Sequence, residues 1–214
     1  MGGYLTSLVA GIDPRFKFAI PVYGCGFVHE GTSRNQAVDD YGRQRRVSLW
    51  DASSHLGKAR LATLWVNGTN DAHYHMPLFQ QSYRLPQGER SLAIRVRMDH
   101  GHGSGWSPPE IYAFAKSMVG RGGPLIKLTA QGRDGANAWV EFDSPTKIEV
   151  AKAELNYTAD RGPWVDRHWI TAPVRVELGA RRVAGELPAD AAVYYFNLTD
   201  SRGLLVSSEH VEIK

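Results

Sequence analysis

Residue types suited to proton transfer follow two successive predicted strands of this 214-residue chain. The apolar run 61–67 leads through Gly-Thr-Asn to Asp71, and the run 91–98 leads to Asp-His-Gly-His-Gly, which holds His100 and His102. Loops at the carboxyl ends of parallel strands carry the chemistry of open α/β sheets. An imidazole there can move a proton while a carboxylate fixes its tautomer. We predict that Asp71 and His100 are the catalytic pair, with His102 as the alternative because it lies further from the strand end.

The first residues of the chain have the pattern that follows a nucleophilic serine in a G-x-S-x-G turn. Met1 and Gly2 would occupy the two positions after that serine, where the tight turn leaves no room for a side chain at the glycine. Leu5, Leu8 and Val9 would be the buried face of the next helix. The serine itself would stand directly before Met1, so we expect this chain to begin one residue too late to hold it.

The first 120 residues alternate between strand and helix patterns. Strands are predicted for 16–23, 61–67 and 91–98, and a crossover helix for 76–85. A second helix should follow the capping box Ser107-Pro108-Pro109-Glu110, with its apolar face spaced i, i+3, i+4, i+7. Such alternation indicates βαβ crossovers and a parallel sheet.

These features, in this order, resemble the α/β-hydrolase superfamily, in its acetylxylan-esterase, dienelactone-hydrolase and prolyl-oligopeptidase-like branch. The residues that carry the resemblance are Gly2-Gly3-Tyr4-Leu5-Thr6, Leu64-Trp65-Val66-Asn67-Gly68-Thr69-Asn70-Asp71, and His100-Gly101-His102 with Gly105-Trp106. The resemblance implies that residues 1–120 are the C-terminal part of an α/β-hydrolase domain, with the last three strands of its parallel sheet.

The resemblance also implies cleavage of acyl esters by a Ser-His-Asp mechanism without a cofactor, with a prolyl-oligopeptidase-like serine peptidase as the closest rival. His100 would take the serine proton and return it to the leaving group, while Asp71 stabilises the imidazolium. Backbone N–H groups would hold the oxyanion, one of them on Met1. Deleting the nucleophile costs on the order of 10⁶ in turnover, so the chain alone is expected to be inactive. The residues expected to line the substrate pocket are Tyr23, Cys25 and Trp106.

Cys25 is the only cysteine, so an intramolecular disulfide is impossible. It does not match a G-x-C-x-G nucleophile, because Tyr23 and Phe27 stand where the glycines would be. We predict a small apolar residue that is buried or lines the rim of the pocket.

The histidines support a second interpretation. His73, His75, His100 and His102, together with Asp71, are ligand types that zinc favours. A zinc-dependent hydrolase is therefore kept as an alternative, although the chain has no HExxH pair.

Beyond the break at Gly120-Arg121-Gly122-Gly123-Pro124, the apolar period changes to two. Alternating runs at 147–155, 174–178 and 211–213, with turn clusters between them, predict six or seven antiparallel strands. We therefore predict an all-β domain over 124–214, a small immunoglobulin- or fibronectin-like sandwich.

A turn-rich aromatic segment spans 157–169 and contains Trp164 and Trp169. Exposed tryptophans stack on sugars or peptides, so a non-catalytic carbohydrate- or partner-binding module is one interpretation. The other, which we prefer, is an aromatic plug between the two predicted domains.

Composition excludes several classes of partner. The net charge is only +3, and the one basic cluster, Arg43-Gln44-Arg45-Arg46 after Asp39-Asp40, is no nucleic-acid stripe. No apolar run reaches the length of a membrane span. The expected partner is a small-molecule or carbohydrate ester. No signal peptide is visible, and a secreted or periplasmic parent is compatible with this chain.

Two further expectations concern the partial sheet. The long connection 27–60 is predicted to cover the active site. Three parallel strands without further neighbours would expose a sheet edge, so self-association through that edge is expected.

Overall fold

A computed structural model describes residues 1–30, 40–145 and 148–213 of the chain. The first part alternates helices and parallel strands. Its elements are helix α1 (Gly2–Ile12), strand β1 (Phe18–Ala19), a 3-10 turn (Val28–Glu30), α2 (Asp40–Trp50), α3 (Ser53–Leu56), β2 (Ala62–Gly68), α4 (Met76–Tyr83), β3 (Arg90–Arg95), α5 (His102–Trp106) and α6 (Pro109–Met118).

The three strands of this part form a parallel sheet, as predicted, and their order is β1-β2-β3. Leu64, Trp65 and Val66 of β2 are all fully buried, which is typical of a parallel strand covered on both faces. β1 is shorter than predicted. Its pairing resumes only at an isolated bridge between Val22 and Val66, after Pro21, which has no N–H to donate.

Helix α6 forms where its apolar period predicts it, but the predicted capping box does not form. Pro108 is the N-cap and supplies no side-chain hydrogen bond. The Ser107 hydroxyl instead donates to the Gly103 carbonyl at 2.8 Å. The Glu110 carboxylate is fully buried and accepts from the Arg95 guanidinium at 2.6 Å. A buried charge requires a charged partner, and this ion pair supplies one in place of the cap.

The second part of the chain, here called the β portion, consists of strands β4 to β12. Their bounds are β4 (Lys127–Asp134), β5 (Asn137–Asp143), β6 (Val150–Thr158), β7 (Ile170–Pro173), β8 (Arg175–Glu177), β9 (Arg182–Glu186), β10 (Val193–Asp200), β11 (Leu205–Ser207) and β12 (Val211–Glu212). All pairings are antiparallel, in one sheet of order β4-β5-β9-β8 and another of order β11-β10-β6-β7, with β12 paired to β10.

The described residues of the β portion thus form nine strands, more than the six or seven predicted. The alternating runs at 174–178 and 211–213 contain β8 and β12. The immunoglobulin or fibronectin class of the β portion stays a prediction.

The apolar core is continuous between the two parts of the chain. One buried cluster contains Val140 of β5, Leu155 of β6 and Val66 of the parallel sheet. At the outer edge of β3, the Ile94 N–H donates to the Ser207 hydroxyl at 2.7 Å, and the Asn197 amide donates to the Ile94 carbonyl at 3.2 Å. Side chains of the β portion therefore occupy the place of a neighbouring strand there. Self-association through an exposed sheet edge stays a prediction. No helix in the described ranges could cross a membrane.

His210 is fully buried where the two parts of the chain meet. Neither ring nitrogen has a hydrogen-bond partner among the described residues, and the Trp164 ring packs edge-on at 5.4 Å. Its Nε2 lies 3.9 Å from the Glu212 carboxylate, too far for a hydrogen bond. Burial, with smaller contributions from Arg84 and Arg167, lowers the pKa of His210 to about 3.

This burial predicts a loss of stability in acid. Below pH 6.5 the unfolded chain protonates His210 while the folded chain does not, so the free energy of unfolding should fall from about pH 6.5 towards pH 3. The slope from this group is up to about 1.4 kcal/mol per pH unit. Urea unfolding at a series of pH values should show a shallower slope for His210→Phe. The exposed control His168→Phe should keep the wild-type slope, and identical slopes for all three proteins would contradict the prediction.

Candidate active site

The loop after β2 fixes the Asp71 carboxylate. The Asn67 side chain shapes this loop, since its oxygen accepts from the Gly68 N–H at 2.8 Å and its amide donates to the Tyr74 carbonyl at 2.9 Å. The Asp71 side chain is fully buried, and its Oδ1 accepts the N–H groups of His73 and Tyr74, both at 2.8 Å. The acid is therefore oriented by backbone groups independently of the histidine.

His100 joins this carboxylate from the loop after β3. Its Nδ1 lies 2.6 Å from Asp71 Oδ2, a short charge-assisted hydrogen bond. A carboxylate only accepts, so Nδ1 carries the hydrogen and Nε2 remains as the nitrogen available to another group. About a third of the His100 side chain is exposed, whereas the Asp71 side chain is fully buried. The structure thus brings the predicted pair together, and its catalytic role stays a prediction.

Three aromatic rings pack around the His100 ring, one of them Tyr74 with centroids 6.1 Å apart. Tyr23 stacks on the His100 ring with centroids 4.4 Å apart, and His73 packs edge-on at 4.9 Å. The Tyr23 hydroxyl lies 2.7 Å from the Asp99 carbonyl and 3.1 Å from the Gly101 carbonyl, on both sides of His100 in the chain. Tyr23 therefore fixes both the ring and its loop. The pocket position of Tyr23 was predicted from the sequence, whereas this positioning role was not.

His100 lines two cavities, of about 560 and 440 Å³. Met1, Tyr4 and Tyr74 line both as well. The larger cavity also contacts the predicted residues Tyr23, His102 and Trp106. Within the described ranges, no serine or cysteine side chain lines either cavity. The Thr6 hydroxyl, which also lines the larger cavity, donates to the Gly2 carbonyl at 3.0 Å.

Cys25 lines neither of the two cavities that His100 lines. The side chain is completely buried, and its thiol donates to the Gly26 carbonyl at 3.3 Å. Burial raises the pKa of the Cys25 thiol to about 12, so it carries no nucleophilic thiolate. The expectation that Cys25 is buried agrees with the structure.

Helix α1 crosses the chain after β1 at a pair of glycines. A Cβ on Gly3 would lie 2.0 Å from the Val22 carbonyl oxygen, and one on Gly24 would lie 1.9 Å from the Tyr4 nitrogen. A Cβ on Gly2 would meet nothing within 4 Å. Space therefore requires glycine at position 3, not at position 2 as the turn motif suggested. The crossing brings the start of α1 to the cavities that His100 lines.

The connection after Phe27 supplies a second aspartate–histidine contact that sequence reasoning missed. Asp51 is buried and accepts the N–H groups of Phe27, Val28 and Ser53 at 2.8 to 3.0 Å, and its Oδ2 lies 3.3 Å from His29 Nδ1. Burial alone would raise the pKa of Asp51, but these hydrogen bonds outweigh it and lower the pKa.

His29 and Asp51 line the smaller cavity together with Arg46 of the predicted basic cluster. Residues of the connection 27–60 thus line a cavity beside His100, and the prediction that this connection covers the active site stays a prediction. Its residues 31–39, including Asp39, lie outside the described residues, and the side chains of Asp40 and Arg43 are likewise not described.

The zinc alternative finds no matching arrangement. Within residues 1–30, 40–145 and 148–213, no group of three or more histidine, cysteine, aspartate or glutamate side chains could hold a metal ion. His75 Nδ1 faces the Asp71 carbonyl at 3.0 Å, and the carboxylate of Asp71 is already bound to His100. His102 starts helix α5 and lines the larger cavity. The rings of His73 and His100 lie 4.9 Å apart, but they form no group of three or more ligands with another described residue.

Of the two tryptophans in the aromatic segment, Trp169 is buried and Trp164 is partly buried. Trp169 is 5% exposed and lies edge-on to the buried Tyr195, with centroids 5.5 Å apart. Trp164 lies under the Arg167 guanidinium at 3.7 Å. Trp169 has too little free surface to stack on a ligand, so the plug interpretation fits this packing better than a binding module.

Comparisons with known proteins give little further information. No family model matches the chain, and no curated protein matches it. Among solved structures, the chain is similar to an acetyl xylan esterase from Paenibacillus sp. R4, with a TM-score of 0.40 and 19% identity over 56% of this chain. The chain spans 42% of that esterase, and a likeness at this level carries no argument about activity.

Proposed function

We propose that Asp71 and His100 are the acid and base of a serine hydrolase that cleaves acyl esters, with the serine placed directly ahead of helix α1. The observation that carries the proposal is the 2.6 Å bond between a buried, backbone-fixed carboxylate and a partly exposed imidazole. Met1, Gly2 and Gly3 at the start of α1 line the same cavity as that imidazole. A hydroxyl attached at this helix end would be near His100.

The chemistry follows from these positions. His100 Nε2 takes the serine proton as the oxygen attacks the ester carbonyl, and Asp71 stabilises the resulting imidazolium. Once Met1 is joined to a preceding serine, its nitrogen becomes an amide N–H at the positive end of the α1 dipole, where it can hold the oxyanion. His100 then protonates the leaving alcohol, and water repeats the sequence to release the acid. Asp71 accepts no proton in this cycle.

The proposed substrates are small acyl esters, with acetylated sugars as the first class to test. Exposed aromatic side chains of Trp106 and Tyr112 line the larger cavity beside His100. Aromatic faces of this kind pack against sugar rings or apolar acyl groups. Peptide cleavage by the same groups is the rival activity, and a peptide p-nitroanilide measured beside p-nitrophenyl acetate separates the two.

The proposal is tested by joining Gly-Ala-Ser directly to Met1. We expect this serine to react with a fluorophosphonate probe and to hydrolyse p-nitrophenyl acetate with a burst of p-nitrophenol. The matched control carries Gly-Ala-Ala at the same place and differs by one oxygen atom. Both responses should disappear in that control and in His100→Ala of the serine form. Equal hydrolysis by the serine and alanine forms would refute the proposal.

A further inference from the structure

Asn70, the residue before Asp71, joins the loop after β2, here called the acid loop, to the β portion. Its amide nitrogen lies 3.2, 3.0 and 2.8 Å from the carbonyl oxygens of Trp164, Val165 and Arg167. These carbonyls belong to the 3-10 turn between β6 and β7 and to the residue after it. The Asn70 oxygen accepts from the Thr69 hydroxyl at 2.7 Å, which fixes the amide with its nitrogen towards the turn.

The turn that receives these bonds is itself held firmly. The Arg167 Nε donates to the Gly162 carbonyl at 3.0 Å, and the guanidinium covers the Trp164 ring. The His168 N–H donates to the Asp160 carboxylate at 2.6 Å, and the next residue, Trp169, is part of the buried core. A support fixed in this way can hold a loop that docks on it.

The same loop is also tied to the segment that leads to His100. The Thr69 hydroxyl accepts from the Arg97 N–H at 2.9 Å, and the Thr69 N–H donates to the Arg95 carbonyl at 3.0 Å. Residues 69 and 70 therefore connect the acid loop, the segment before His100 and the turn of the β portion. Asp71 follows immediately in the chain.

We infer that the β portion is a working part of the catalytic unit, and that Asn70 is a positioning residue through which its turn at Trp164–Asp166 holds the Asp71 loop. The functional meaning rests on the proposed hydrolase, whereas the positioning itself can be measured without any reaction. This assigns the β portion a role other than that of a non-catalytic carbohydrate- or partner-binding module. A carboxylate at this position would place acceptors against three carbonyl oxygens, which also only accept. The amide nitrogen is therefore required as the donor.

The chain offers a matched control in Asn197. Its amide also ties the β portion to the parallel sheet, through the Ile94 carbonyl at 3.2 Å, but it is not attached to the Asp71 loop. Asn70→Ala and Asn197→Ala each remove one amide from the contact between the β portion and the first part of the chain, here called the joint. Any general weakening of the joint should appear in both variants, and only a local effect on the acid loop should separate them.

The experiment is amide hydrogen exchange in the unmodified chain, followed at the His73 and Tyr74 N–H groups that Asp71 binds. We expect Asn70→Ala to speed their exchange at least about tenfold, as for loss of one buried hydrogen bond, and Asn197→Ala to leave it near wild type. Amides of β2 serve as the internal reference. Asn70→Ser, which keeps one donor, should give an intermediate rate and replaces the alanine variant if that fails to fold.

Equal exchange in the Asn70 and Asn197 variants, or wild-type exchange in both Asn70 variants, would overturn the inference. Because the measurement needs no nucleophile, its outcome is independent of the serine-extension test. Absence of ester hydrolysis there combined with a local effect here would refute the proposed function and leave the positioning intact.

Discussion

Asp71→Asn is expected to lower ester hydrolysis by the serine-extended chain by about 10⁴ while the protein remains folded. The asparagine oxygen can still accept the N–H groups of His73 and Tyr74, which now bind Asp71 Oδ1. Its amide nitrogen would then face His100 Nδ1 and donate to it. The imidazole would be driven to the tautomer with hydrogen on Nε2, which cannot accept the serine proton.

The rate of p-nitrophenyl acetate hydrolysis measures this effect. Asp99→Asn is the matched control, because Asp99 directly precedes His100 but is an exposed residue. That variant should keep nearly the full rate. A loss of less than about tenfold for Asp71→Asn, with the fold intact by circular dichroism, would contradict a triad role for Asp71.

Gly24→Ala should lower the free energy of unfolding by about 3 kcal/mol or more. The added Cβ would lie 1.9 Å from the Tyr4 nitrogen and 2.2 Å from the Gly3 carbonyl carbon, and neither backbone atom can rotate away as a side chain could. Relief requires helix α1 to move from the chain after β1. The Ser7 hydroxyl, which donates to the Gly24 carbonyl at 3.0 Å, would lose its partner as well.

Urea unfolding of Gly24→Ala beside Gly2→Ala tests this directly. The two variants make the same chemical change in the two segments that cross, helix α1 and the segment after β1. Nothing, however, lies within 4 Å of a Cβ at Gly2. Gly2→Ala should therefore stay within about 0.5 kcal/mol of wild type. Comparable losses in both variants would show that α1 does not cross the chain at Gly24 as described.

The sequence was sufficient where the signal is local. The order of Asp71 and His100 after two successive strands predicted that they would meet, because adjacent parallel strands end at one edge of a sheet. The period of apolar residues predicted helix α6. The apolar run at 61–67 predicted β2 as a parallel strand covered on both faces.

The sequence was insufficient where two distant segments must pack first. Asn70 and the turn at Trp164–Asp166 are more than 90 residues apart, and nothing in either segment specifies the other. The contact between His29 and Asp51 spans a connection without a periodic pattern. Glu110 of helix α6 had the spacing of a capping box, but the Arg95 guanidinium that neutralises it comes from strand β3. Which partner a polar side chain binds depends on which groups are buried together.

In the proposed site His100 donates from Nδ1 to Asp71 and keeps Nε2 available to the serine. ¹⁵N and ¹H NMR of the imidazole in the unmodified chain at neutral pH measures which nitrogen carries the hydrogen. We expect a His100 ring protonated at Nδ1, with a low-field Nδ1 proton that disappears in Asp71→Asn. A His100 ring that carries its hydrogen on Nε2, or a spectrum unchanged by Asp71→Asn, would contradict this expectation.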